Sequence, residues 1–225
     1  MALLALAFVT PPRAQGPWGV AFAPADTTVG RPAIVFLHGM WASPEDSCEP
    51  FARAAAPFGF LVCPRGNAPL DDGSDGMMWK GSAADAERQI RPALAAAEAL
   101  APGKLDRAGP GTILGYSNGA YFAAEVACAE RGRWSGLVVL SMKVDVDGAR
   151  LKAAGVKRVV LAAGDRDAAR TSMQAAAARL VEQGVAARFV SLGPGGHEFP
   201  PDMARRMCSV VAWVRDADER ACGNE

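Results

Sequence analysis

The stretch TILGYSNGAYFAAEVA, residues 112–127, changes character in its middle. Its first part, TILGY, is short and apolar, as a strand buried on both faces should be. Its last part, AYFAAEVA, is made mostly of good helix formers. Between them stands Ser117, with Gly115 and Gly119 two residues to either side. The pattern predicts a sharp strand-to-helix turn with a serine at its tip. Packing in such a turn leaves no space for side chains two residues from the tip, which explains the glycines.

Outward from this turn, short β-rich apolar runs alternate with longer segments of helical period. The strand expectations are AIVFLHG (33–39), FGFLVCPRG (58–66), TILGYS (112–117), GLVVLSM (136–142), VKRVVLAAGD (156–165) and AARFVSLG (186–193). Helices are expected at 45–56, 83–100, 119–131, 171–183 and 201–217. Ser82 and Asp85 have the spacing of a capping box, Gly184 stands where a helix should stop, and Pro201 suits a first helical turn. Strand and helix in alternation imply a three-layer α/β/α sandwich on a mostly parallel sheet with right-handed crossovers. In sheets of this kind, sites gather beyond the carboxyl ends of the strands.

The 225 residues, 50% of them hydrophobic, suffice for one domain with a sizeable core. Lysine plus arginine and aspartate plus glutamate number 24 each and form no block of one sign, which argues against nucleic acid as a partner. The apolar run in MALLALAFVTPPRAQGPWG is too short to span a bilayer, so stable membrane insertion is not expected. Residues 1–17 read as a signal-peptide remnant or an N-terminal arm, and residues 18–225 as the domain. A periplasmic or secreted location is favoured over the cytoplasm, and nothing in the sequence specifies an oligomeric state. Five cysteines leave at least one unpaired. Cys128, inside a helical segment, is that one; Cys48 with Cys63 is the preferred bridge in an oxidising compartment, and Cys208 and Cys222 bracket the last helix.

A serine hydroxyl needs a base within hydrogen-bond reach before it can act as a nucleophile. The chain offers two histidines. His38 ends the strand AIVFL, and His197 lies in the glycine-rich loop GPGGHEF after the last strand. The order His38, then Asp72 or Asp75, then Ser117 would suit an antiparallel double barrel, which the alternation contradicts. The order Ser117, Asp167, His197 draws each residue from a loop after a successive strand, as a parallel sheet would deliver them. Asp167 lies farther into its loop than Asp165 and has the better reach, although Asp165 as the acid stays open. The backbone N–H groups of Met40 and Asn118 are then placed to hold an oxyanion, with His38 supporting the loop and the side chain of Asn118 of lesser interest. No cofactor is required, and the two histidines so committed leave no zinc set. In the long loop at 65–81, DDGSDG partly matches a calcium loop but has Gly73 and Ser82 where ligands belong.

As an ordered set, HGM (38–40), GYSNG (115–119), GDRD (164–167) and GGH (195–197) resemble the α/β-hydrolase superfamily. The nearest resemblance is to small lidless carboxylesterases of the phospholipase/carboxylesterase and dienelactone-hydrolase-like group. GYSNG is also similar to esterases of the polyhydroxybutyrate-depolymerase and feruloyl-esterase type. The string APLDDGSDGMMW (68–79) is similar to a loop that in this group ends in a tryptophan near the acyl pocket. The resemblance therefore implies that Met78 and Trp79 line the substrate site; the alternative is that they close a loop over the core. Trp41 and Phe199 are counted with them. Only KVDVDGARLKAAG follows Met142 before the next strand, which leaves no room for a cap. The expected activity is hydrolysis of a small carboxylic ester or thioester by Ser117, His197 and Asp167. The alternatives are a peptidase or amidase on the same fold, or a binding module that keeps the fold without catalysis.

Overall fold

A computed structural model describes residues 12–222. The leader reading therefore lies mostly outside the described residues. Its last part does not: Arg13–Gly16 is strand β1, so the sheet takes in residues ahead of Trp18. The strands that follow are β2 (Gly19–Phe22), β3 (Arg31–Leu37), β4 (Phe60–Pro64), β5 (Ala68–Pro69), β6 (Met77–Met78), β7 (Leu105–Asp106), β8 (Gly111–Tyr116), β9 (Trp134–Leu140), β10 (Arg158–Ala163) and β11 (Ala186–Ser191). The helices are α1 (Pro44–Ala55), α2 (Ala83–Leu100), α3 (Asn118–Ala129), α4 (Gly148–Ala154), α5 (Arg170–Glu182) and α6 (Met203–Val214).

The main sheet runs β1-β2-β4-β3-β8-β9-β10-β11, with β7 beside the start of β3. From β4 to β11 every neighbouring pair is parallel, while β1 with β2 and β2 with β4 pair antiparallel. Period-2 alternation splits the core into two layers. Ile34 and Phe36 of β3 face α1 and α6, where Phe36 stacks on Phe51 at a centroid distance of 4.1 Å. Val35 and Leu37 face the opposite way, into the layer that α2, α3 and α5 cover with Ile90, Ala123 and Leu180. All four strand residues are completely buried.

The expected capping box forms: the Ser82 hydroxyl accepts the Asp85 N–H while the Asp85 carboxylate accepts the Ser82 N–H. Gly184 follows α5 at φ +74°, left-handed backbone that glycine adopts without penalty. Two local expectations need correction. The last helix starts at Met203 and not at Pro201, because Pro200 and Pro201 form a turn closed by the Met203 N–H on the Pro200 carbonyl at 3.0 Å. Helix α4 was not expected. With seven residues it shows too little periodicity, and it is fixed instead by Asp147, whose carboxylate accepts the Ala149 N–H at 2.7 Å, and by Gly155 at φ +93°. Between β9 and β10 there is only this short helix, so no cap covers the sheet edge there.

The structure pairs Cys48 with Cys63, tying α1 to β4, and Cys208 with Cys222, tying α6 to the 3₁₀ turn Glu219–Cys222. Cys128 is unpaired and partly buried. No helix among the described residues is long and apolar enough to cross a membrane.

Candidate active site

Strand β8 hands over to α3 within one residue, and Ser117 takes the strain of that handover. Its backbone sits at φ 52°, ψ −123°, a conformation rare for a side-chain-bearing residue. Its N–H is secured on the Leu140 carbonyl at 2.9 Å. The glycines are needed for the reason the sequence suggests. A Cβ on Gly115 would overlap the Gly119 carbonyl and Ala120 Cα, and one on Gly119 would overlap the carbonyls of Leu37 and His38.

Three residues from three loops meet here. His197 Nε2 lies 3.0 Å from Ser117 Oγ, and His197 Nδ1 lies 3.0 Å from Asp167 Oδ2. Only Asp167 reaches the imidazole. Asp165 instead accepts the Ser191 hydroxyl at 2.6 Å and pairs with Arg170 at 3.3 Å. The Asp167 side chain is 2% exposed, whereas that of His197 is 50% exposed, so the buried acid lies behind an imidazole open to solvent. Burial pushes the Asp167 carboxyl up, but the Ala169 N–H, accepted at 2.8 Å, and His197 help bring it below its ordinary value of 3.8. The buried Ser141 hydroxyl lies near enough to favour the ionised carboxylate, though it has no partner in hydrogen-bond geometry. Gly164 lets the two loops close on each other, since a Cβ there would overlap the Gly195 and Gly196 carbonyls. The N–H groups of Asp165 and Arg166 then donate to the carbonyls of Gly193 and Gly195 at 2.7 and 2.9 Å.

His38 is completely buried at the end of β3. Its Nδ1 is 2.8 Å from the Gly39 carbonyl and its Nε2 is 3.0 Å from the Gly66 N–H. A carbonyl can only accept and an N–H only donate, so the ring is neutral with its proton on Nδ1. Burial acts in the same direction and lowers its pKa below the ordinary 6.5. In a planar trans peptide the C=O and N–H point opposite ways, so a Gly39 carbonyl fixed on His38 turns the Met40 N–H away from the buried ring. Asn118 opens α3, where the first N–H groups have no partner inside the helix.

The candidate pocket residues divide. Trp41 is 66% exposed at φ 61°, its indole N–H on Asp72 at 3.1 Å. Met78 is half-buried in β6. Phe199, also half-buried, packs edge-on against Tyr116 and Phe51. Trp79 does not lie on the surface of the site: it is 2% exposed and belongs to the core, the alternative that the sequence leaves open. The His38 carbonyl accepts its indole N–H at 3.0 Å, which lets so large a ring be buried with its polar atom satisfied. The Asn118 side chain, set aside in the sequence reading, clamps this loop. Its Oδ1 accepts the Trp79 N–H at 2.7 Å and its Nδ2 donates to the Trp79 carbonyl at 3.3 Å. Sequence reasoning also missed Tyr116, whose hydroxyl donates to the His197 carbonyl at 2.7 Å. The bonds of Asn118 and Tyr116 span 39 and 81 residues, beyond any local signal. Among the described residues, no three His, Cys, Asp or Glu side chains stand together as metal ligands would.

No protein-family model matches the sequence, and no curated protein matches it. Solved structures do. An esterase from Pyrobaculum calidifontis is 16% identical, with 88% of this chain and 80% of that one covered at a TM-score of 0.65. A Bacillus cereus carboxylesterase is 19% identical, with 88% and 93% covered at 0.62. An S-formylglutathione hydrolase from Agrobacterium tumefaciens is 14% identical, with 91% and 93% covered at 0.61. With its strand order and the helices on both faces, the chain has the α/β-hydrolase fold.

Proposed function

We propose that the protein is a serine hydrolase that cleaves carboxylic esters or thioesters through an acyl-enzyme. The observation that carries this reading is the unbroken hydrogen-bond chain from Ser117 through His197 to Asp167, 3.0 Å in both links, at the tip of a strained strand-to-helix turn. The esterase activity in the names of structural neighbours points the same way.

Ser117 Oγ attacks the carbonyl carbon while His197 Nε2 takes its proton, and Asp167 keeps the imidazole oriented and stabilises its charged form. The N–H groups of Met40 and Asn118 hold the oxygen that becomes negative, a contribution of about 3 kcal/mol for each donor. Collapse of the tetrahedral intermediate expels the alcohol or thiol, which leaves with the proton from His197. Water, deprotonated by the same imidazole, then attacks the acyl-enzyme, and the acid departs with Ser117 restored. The half-exposed imidazole leaves the site open to water, so no lid movement precedes turnover.

The test is turnover of a p-nitrophenyl ester series from acetate to palmitate. Hydrolysis that fades along the series would support the reading and rank the acyl lengths. Absence of turnover with every member would contradict it.

A further inference from the structure

We infer that Tyr116 is a positioning residue, which holds the base-bearing loop and the oxyanion loop together on either side of Ser117. This rests on the proposed roles of Ser117 and His197. Tyr116 ends β8 one residue ahead of Ser117, so it shares the rigid strand that carries the serine. On one side its hydroxyl donates to the backbone carbonyl of His197 at 2.7 Å, with the two rings 5.1 Å apart. On the other side its ring closes over Gly39: a Cβ there would stand 3.0 Å from Tyr116 Cδ1. Phe199 packs edge-on to the same ring at 4.5 Å and braces it from behind.

The loop carrying His197 needs such an anchor. The GDRD loop holds the Gly193 and Gly195 carbonyls, but the histidine lies beyond them after Gly196 and its side chain is half exposed, so its own backbone gains from a further tie. The Asp167 contact restrains the ring alone. Tyr116 restrains the backbone from which the ring hangs, in a frame shared with the nucleophile and with the loop that presents the Met40 N–H. The donor is also constant. Burial, with the carboxylates of Asp167 and Glu198 nearby, pushes the Tyr116 phenol up to about 12, so it keeps its proton throughout ordinary assay conditions.

The experiment compares wild type with Tyr116→Phe, which keeps the ring and removes the hydrogen bond, and with Tyr116→Leu, which removes both. Active sites are titrated with a fluorophosphonate probe, so that kcat is counted per reactive serine. The expected result for Tyr116→Phe is a kcat per titrated site lower by about five- to tenfold with KM within about twofold, and a larger fall for Tyr116→Leu. Probe reactivity should fall by a similar factor, since it draws on the same proton transfer. A Tyr116→Phe enzyme with fewer titratable sites but full kcat at each would overturn the inference, because it would reduce Tyr116 to a folding role. A wild-type enzyme that the probe does not label would overturn the parent reading and this one with it.

Discussion

His38 donates its Nδ1–H to the carbonyl of Gly39 at 2.8 Å and thereby sets the peptide whose other end is the Met40 N–H. In His38→Phe the ring volume is kept, but the Gly39 carbonyl and the Gly66 N–H lose their buried partner. Stability should drop by about 2–4 kcal/mol in denaturant unfolding. In the fraction that remains folded, kcat should drop by about a hundredfold as the Met40 N–H, the proposed oxyanion donor, loses its orientation. Full activity in His38→Phe would separate this ring from the oxyanion loop.

The same residue makes stability depend on pH. Its folded pKa lies below the ordinary 6.5, so between the two values the unfolded chain binds a proton that the folded protein refuses. The contribution is complete above pH 6.5 and is lost progressively as the pH falls below it. Unfolding free energies measured from pH 8 down to pH 5 should decline in the lower half of that range, and His38→Phe should flatten the decline.

The two acids of the GDRD loop should separate cleanly. Asp167→Asn removes the charge behind His197 and should lower kcat by about 10³- to 10⁴-fold with little change in KM. Asp165→Asn loosens a contact with Ser191 and Arg170 and should cost far less. Steady-state kinetics on both variants decides the matter, and the reverse ranking would reassign the acid.

The two disulfides close loops with sequence separations of 15 and 14, worth about 3 kcal/mol each on the chain-entropy account. Reduction should therefore lower Tm by many degrees. Alkylation of the unreduced, unfolded chain should mark Cys128 alone, read by mass spectrometry. Labelling of Cys48 or Cys63 under those conditions would contradict the pairing.

The alternation of strands and helices was legible because each long element carries its own periodicity, and the glycines around Ser117 were legible because they answer a local steric demand. The same locality limits the reading. Strands β1, β2 and β7 and the β5–β6 hairpin are too short to show a period and exist through their pairing. Trp79 illustrates the limit within the site: whether an indole at the end of a loop faces substrate or core depends on a carbonyl acceptor, here His38, far away in sequence. The place of Asn118 at a helix start was legible from the strand-to-helix change, but its side-chain clamp on Trp79 needed the folded loop.

Ser117 is proposed as the nucleophile, activated by His197. That role is tested most directly by labelling the native protein and Ser117→Ala with a fluorophosphonate probe, with Tm measured for both. The native chain should be labelled, and the variant, with a similar Tm, should not. Labelling that persists in Ser117→Ala would contradict that role.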